Sequence, residues 1–410
     1  MLFILPRNIS SIISIMNKSG FSAHLVGGCV RDMLTQKVPK DWDITTNATP
    51  DAVKALFKTT YDTGLKHGTV TVSYDGTLVE VTTWRREAHY SDHRRPDHVD
   101  FTESLSEDLA RRDFTMNAMA YHPKEGLVDP FGGLDDIHKK IIRSVGDPVK
   151  RFSEDALRML RAVRFSAQLA FDIENKTFAA IQRLSRDLAY VSMERIQAEV
   201  NKILESPAPE RFFLLWQTGL NQIIFPGLTT LSQSWKDNAA HLAKHSDARV
   251  LLLTLLFYTC FEGDAPIKAR MLLNRLKYDG ATIRGVTRHI QGLEEFGTYT
   301  RRNIRKLVSE LGENTARNAL QLLSLLSLIN IPAKDYHADH CSSLNTDFIP
   351  LKLAVSGLDL QKAGLCLAKD TGTLLSTLAL CLYEKPELND TDTLMQLAKV
   401  AIKLPLHTNS

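Results

Sequence analysis

The stretch Leu25-Val26-Gly27-Gly28-Cys29-Val30-Arg31-Asp32, followed after a short loop by Lys40-Asp41-Trp42-Asp43-Ile44, constrains this chain more than any other. An apolar strand runs into two glycines and a cation, and a second strand then carries two carboxylates at alternate positions. Side chains at i and i+2 of a strand share a face, so Asp41 and Asp43 can share one metal. The glycines let backbone N–H groups approach a phosphate at what reads as a helix N-terminus. A phosphate cradle beside paired carboxylates for Mg²⁺ is what nucleotidyl transfer requires: one metal lowers the pKa of an attacking hydroxyl, the other steadies the leaving pyrophosphate. Singly, a Gly-Gly pair is usually a turn and an Asp-x-Asp a capped loop; their succession is what carries information.

Around this centre the sequence reads as a mixed α/β domain. Residues 9–19 have helical spacing (Ile12, Ile13, Met16), and the apolar start is expected to be a first helix on that domain, not a signal segment. Thr49-Pro50-Asp51 opens a helix with Thr49 as cap and proline at the first position. Residues 68–74 alternate, Asp75-Gly76 makes a turn, and residues 78–83 return as a hairpin. Glu80 is the odd acid of the returning strand: either an exposed strand position or a third carboxylate beside Asp41 and Asp43. Residues 85–96 are basic and aperiodic, either a solvated loop or a mobile arm over a nucleotide or RNA end. Residues 105–118 read as one helix carrying Arg111-Arg112-Asp113.

A second informative stretch spans Phe152 to Phe165, where Ser153 is the expected helix cap and Glu154 and Asp155 suit the positive end of the helix dipole. Asp155 and Arg158, three apart, are expected side by side on that helix. As a surface ion pair they would contribute little. As a base reader they match chemistry: carboxylate offers only acceptors and guanidinium only donors. Cytosine and adenine each present an amino donor next to a ring-nitrogen acceptor, which one Asp–Arg pair satisfies. Guanine and uracil present the reverse pattern, and an unpaired buried polar edge costs on the order of 1–3 kcal/mol. The pair therefore fits a protein that accepts CTP and ATP and refuses GTP and UTP. Arg161 and Arg164 continue along the helix.

Together these residues resemble the class II tRNA nucleotidyltransferases, the CCA-adding enzyme family, whose head is shared with bacterial poly(A) polymerases. The resemblance implies an α/β polymerase-β-like nucleotidyltransferase head followed by an all-α neck, body and tail. It implies a neck whose Glu-Asp-x-x-Arg motif, here Glu154, Asp155 and Arg158, templates the base. The Arg-Arg-Asp motif places Arg112 on the nucleotide, with Asp113 an organiser of the site. Asp41 and Asp43 would hold Mg²⁺, with Glu80 a third candidate acid. Gly27, Gly28, Arg31, Arg161 and Arg164 would hold the triphosphate or RNA terminus, and Glu154 would orient Arg158. The arm at 85–96 resembles a loop associated with the final A addition. Asp129-Pro130-Phe131-Gly132-Gly133 is a family turn with a structural role, and Ser356-Gly357-Leu358-Asp359-Leu360 echoes a tail motif that contacts tRNA.

The expected segments are a head at 1–145, neck at 146–205, body at 206–334 and tail at 335–410. At 410 residues the chain has room for them. A net charge of +3 is too small to imply nucleic-acid binding by itself, so local clusters such as Arg301, Arg302, Arg305 and Lys306 must supply phosphate contacts. The five cysteines form no C-x-x-C pair, which argues against zinc and disulfides and suits a cytoplasmic protein; no segment is long enough to span a membrane. The expected reaction is attack of a tRNA 3′-hydroxyl on the α-phosphate of CTP or ATP. Three alternatives stay open: addition of CC or of A alone, a poly(A) polymerase (which tends to carry a long basic C-terminal extension, unlike Lys403–His407), and a catalytically dead RNA-binding protein, against which Asp41 and Asp43 speak.

Overall fold

A computed structural model describes residues 3–88, 98–261, 263–296, 300–327 and 351–402. They fall into two compact units that divide between Leu231 and Ser232, inside the stretch expected as the body.

The first unit opens with α1 (Arg7–Lys18), whose Ile9, Ile12, Ile13 and Met16 recur at helical spacing and are all buried. Then come β1 (Ala23–Val26), α2 (Gly28–Leu34), β2 (Asp43–Thr46), α3 (Pro50–Leu56), β3 (Thr60–Gly64), β4 (Thr69–Tyr74) and β5 (Thr77–Thr83). Thr49 caps α3 through its side chain, as its Thr-Pro-Asp sequence predicts. Asp75 and Gly76 both take positive φ (47° and 74°), the two-residue turn that matches the twist of a β4–β5 hairpin. After β6 (Arg85–Ala88), β7 (His98–Phe101) and α4 (Leu105–Ala110) come β8 (Ala120–His122) and β9 (Gly126–Val128). Seven strands make one mixed sheet, in the order β3-β4-β5-β2-β1-β8-β9. Its β2–β5 pair is parallel and sets Asp43 opposite Glu80.

Two expectations are corrected here. Part of the supposedly aperiodic arm is strand: Arg85–Ala88 pairs antiparallel with His98–Phe101, while residues 89–97 lie outside the described residues. The helix expected over 105–118 ends at Ala110. Arg111 to Phe114 then form an irregular turn into a 3₁₀ segment at Thr115–Asn117, tied down by Thr115 N–H donating to Arg143 O and Val145 N–H to Asp113 O.

The unit continues through α5 (Gly133–His138), β10 (Ile141–Ile142), α6 (Pro148–Glu154), α7 (Leu157–Leu169), β11 (Asp172–Ile173), α8 (Asn175–Leu184), α9 (Met193–Leu204), α10 (Leu214–Thr218) and α11 (Asn221–Ile224). The Asp129 turn is structural, as expected: its carboxylate accepts from Gly133 and Leu134 N–H. A parallel β10–β11 bridge joins the expected head and neck segments.

The second unit is helical throughout the described residues: α12 (Gln233–Leu242), α13 (Ala248–Cys260), α14 (Ala265–Arg275), α15 (Gly280–Glu295), α16 (Arg301–Leu311), α17 (Glu313–Leu325), α18 (Gly357–Lys362), α19 (Thr371–Glu384) and α20 (Thr391–Ala401). The tail motif starts α18, where Ser356 and Asp359 make a reciprocal capping box. The basic cluster of α16 is partly structural. Arg305 donates to Tyr383 O and Arg302 pairs with Glu384, fastening α16 to the C-terminal end of α19. No helix of the described residues is long and apolar enough to cross a membrane. The four described cysteines (Cys29, Cys260, Cys366 and Cys381) are free.

Candidate active site

Two features converge at the β1–α2 turn and the start of β2 beside it. Gly27 caps α2 with φ of +77°, a conformation that favours glycine. A Cβ there would sit 2.9 Å from Arg112 Nη1, so the missing side chain is what lets the Arg112 guanidinium lie against the turn. Gly28 begins α2. Arg31, one turn on, donates from Nε and Nη2 to Asp32 Oδ1 and from Nη1 to Asn117 Oδ1 at 2.8 Å.

Asp43 is the first residue of β2, and Asp41 lies in the bend before it, so only one of the two carboxylates is a strand residue. Glu80 stands in register with Asp43 across the parallel pair. The Asp43 carboxyl is pushed up to about 6, first by burial and further by the negative charges of Glu80 and Asp41, while the Arg112 guanidinium opposes the rise. Asp41 and Glu80 thus both act on Asp43, and oxygen donors of this kind are the chemistry that suits Mg²⁺. Among the described residues no group of three His, Cys, Asp or Glu side chains is arranged to hold a metal.

Reaching this site through Arg112 is a cavity of about 230 Å³ lined by Arg111, Arg112, Arg158, Arg161 and Arg195, by Asp113 and Asp155, and by Leu157. Five guanidiniums face two carboxylates, a setting for an anion. It brings together Arg112, Asp155, Arg158 and Arg161 of the residues expected from sequence, and adds Arg111 and Arg195.

The local backbone differs from the expected continuous helix. Asp147, not Ser153, caps α6, accepting from Val149 N–H ahead of Pro148 at the first position; Ser153 lies inside α6 and donates to Val149 O. The helix stops at Glu154, Asp155 is extended (φ −141°), and α7 starts at Leu157. Asp155 lies in the break, one residue ahead of the α7 cap position Ala156, and its Oδ1 accepts from the first N–H of the helix, that of Leu157, at 3.1 Å. Its Oδ2 accepts from Arg195 Nη2 at 3.0 Å. Arg158 donates to Glu154 Oε2 at 2.7 Å, to Arg151 O and to Arg111 O. The two residues expected as a base-reading pair therefore share one cavity, but from a helix break and a helix, not one helix face.

Asp113, expected as an organiser, is held by three neighbouring donors. It accepts from Arg161, Asn117 Nδ2 and Phe114 N–H. Burial alone would raise its carboxyl; the Arg161 charge and these hydrogen bonds more than offset that and hold it at about 2. Arg164 stands apart from the cavity lining. It pairs with buried Glu199 at 2.7 Å, and burial lowers its guanidinium to about 10. Arg195, Asn117 and Phe165 were not singled out by sequence. Arg195 is 40 residues from its partner Asp155, so no spacing rule connects them.

Residues 23–143 match the family model described as the poly A polymerase head domain. Residues 170–232 match the probable RNA and SrmB-binding site of polymerase A. The chain is 39% identical over 360 residues to a CCA-adding enzyme of a Geobacillus species, covering 86% of each. It is 49% identical over 230 residues to the CCA-adding enzyme of Geobacillus thermodenitrificans, spanning there 56% of each chain. Its fold is similar to the crystal structure of the Bacillus stearothermophilus CCA-adding enzyme in complex with CTP, with a TM-score of 0.74 at 30% identity over 98% of this chain and all of that one.

Proposed function

The chain belongs to the CCA-adding enzyme family, and on that premise we propose that it adds CCA to the 3′ end of tRNA from CTP and ATP, without a nucleic-acid template. The RNA 3′-hydroxyl attacks the α-phosphate in line, and pyrophosphate leaves. Asp41 and Asp43, with Glu80 alongside, would hold Mg²⁺, which lowers the pKa of the attacking hydroxyl and offsets charge on the pyrophosphate. Gly27 and Gly28 admit the triphosphate close to backbone, and Arg31, Arg112, Arg161 and Arg164 supply positive charge around it. We assign residues 1–145 to the head, 146–205 to the neck, 206–334 to the body and 335–410 to a tail that binds tRNA. The free cysteines fit a cytoplasmic site of action.

The observation that carries this reading is the cavity in which Asp155 and Arg158 both stand. Each is held by a further partner, Arg195 or Glu154, so each is preorganised. Acceptors on one and donors on the other match the Watson–Crick edge of cytosine or adenine and oppose that of guanine or uracil.

The test is product analysis on tRNA ending at the discriminator base, one C beyond it, or two C beyond it, with CTP and ATP singly and together. Convergence of all three on one CCA end is the expected result. Extension of the last substrate alone, a halt at CC, or a long A ladder would overturn it in favour of an A-adding enzyme, a CC-adding enzyme or a poly(A) polymerase. Asp41→Ala is expected to abolish transfer of both nucleotides.

A further inference from the structure

We propose that Phe165 is a positioning residue for polyphosphate binding: one buried aromatic ring holds three arginines from two elements together while adding no negative charge of its own. The inference rests on the nucleotidyl-transfer reading and adds a residue to it.

The ring is 5% exposed. The guanidinium carbon of Arg164 lies 4.0 Å from its centroid, that of Arg31 5.3 Å and that of Arg161 5.4 Å. All three fall within the range at which a cation is attracted to an aromatic face. Arg161 and Arg164 come from α7, whereas Arg31 comes from α2 beside the Gly27-Gly28 turn. Phe114 packs edge-on at 5.7 Å and 84° and fixes the ring plane.

Three guanidiniums around one point repel one another. Each has its own carboxylate: Asp32 for Arg31, Asp113 for Arg161 and Glu199 for Arg164. Those acids sit on α2, in the turn after α4, and on α9, and each pairs with a different arginine. Asn117 links two of the anchors, accepting from Arg31 and donating to Asp113. The Phe165 ring lies within cation–π range of all three guanidiniums. A fourth carboxylate in its place would outnumber the three arginines and repel an anion. An aromatic face attracts a cation and brings no net charge, so it adds nothing to the negative charge that an anion would have to displace. Leucine fills similar space but has no quadrupole.

The effect acts on phosphate and is blind to the base. The test replaces Phe165 in the full chain by mono-, di- and trifluorophenylalanine, which keep the packing and weaken the quadrupole stepwise. Calorimetry then measures affinity for inorganic tripolyphosphate, CTP and ATP, alongside the melting temperature. The expected result is a graded loss, about tenfold across the series, equal for the three probes and with an unchanged melting temperature. Phe165→Leu is expected to raise KM for CTP and ATP together with little change in kcat. Flat affinity across the fluorinated series would overturn the proposal and leave the ring a packing residue, as would a parent chain that does not bind tripolyphosphate. A parent that binds tripolyphosphate with the graded loss, yet transfers no nucleotide from CTP or ATP to tRNA, would sink the nucleotidyl-transfer reading and leave the role of the ring standing.

Discussion

Asp155 has two tasks, and they separate by substitution. Its Oδ1 accepts from the first N–H of α7 and its Oδ2 holds Arg195, so Asp155→Ala is expected to lose rejection of GTP and UTP and, through the hydrogen bond to α7, about 1 kcal/mol of stability. Arg195→Ala leaves that hydrogen bond and frees the carboxylate, so a smaller loss of selectivity with little change in melting temperature should appear in competition assays with mixed nucleotides. A variant Asp155→Ala as selective as the parent would refute the edge-matching argument. Asp113 gives the pH dependence. Its folded value, about 2, lies below the ordinary 3.8. The ion pair with Arg161 therefore stabilises the fold above pH ~4, and that contribution is lost as pH falls toward 2. Asp113→Asn is expected to cost about 2 kcal/mol at neutral pH, with the gap to the parent closing below pH ~4 in urea titrations. Spacing drew attention to Asp155 and Arg158 and motif resemblance to Arg112, and all three line the cavity, but the single helix face that spacing expected for the pair does not form. Spacing could not reveal Arg195 or Asn117, because the contacts they make cross the fold.

At the scale of elements, local chemistry predicted what local chemistry decides. The Thr49-Pro50 helix start, the Asp75-Gly76 hairpin and the α1 stripe all formed as their sequences imply. Where competing local signals meet, the sequence was ambiguous. Residues 148–165 are apolar at helical spacing throughout, yet they form two helices with the break at Asp155, whose carboxylate accepts from the N–H of Leu157. Residues 85–88 lack alternation because their strand belongs to a separate two-stranded ribbon, not to the main sheet. The β1–α2 turn depends on a missing atom. Gly27→Ala adds a Cβ at φ +77° and 2.9 Å from Arg112 Nη1. The strain is on the order of 1 kcal/mol, but the displaced guanidinium should matter more, with the KM for CTP and ATP rising at least several-fold in steady-state assays. Rescue of KM by Arg112→Lys in the Gly27→Ala background would show that the clash acts through that side chain; no rescue would point to the turn itself.

The whole molecule divides unequally between chemistry and its remainder. Every residue assigned here to the carboxylate site, the glycine turn and the arginine cavity lies before Leu231, in the first compact unit. That unit has its own sheet and its own buried core, including Leu25, Ile44, Phe114 and Phe152. The second unit has a separate helical core, including Leu360, Leu378 and Leu394. The sequence anticipated helices there but set its boundaries at 205 and 334, whereas the divide falls in the non-helical run between α11 and α12, which Pro226-Gly227 and Thr229-Thr230 mark. A chain ending at Leu231 is therefore expected to unfold in one cooperative transition and to bind CTP and ATP within about threefold of the full chain. Its extension of tRNA should fall by an order of magnitude or more through KM for tRNA, if the second unit supplies backbone contacts. Equal loss of CTP binding and of tRNA extension on truncation would mean that the first unit does not hold the site by itself, and that the arginine cavity needs the rest of the chain to keep its shape.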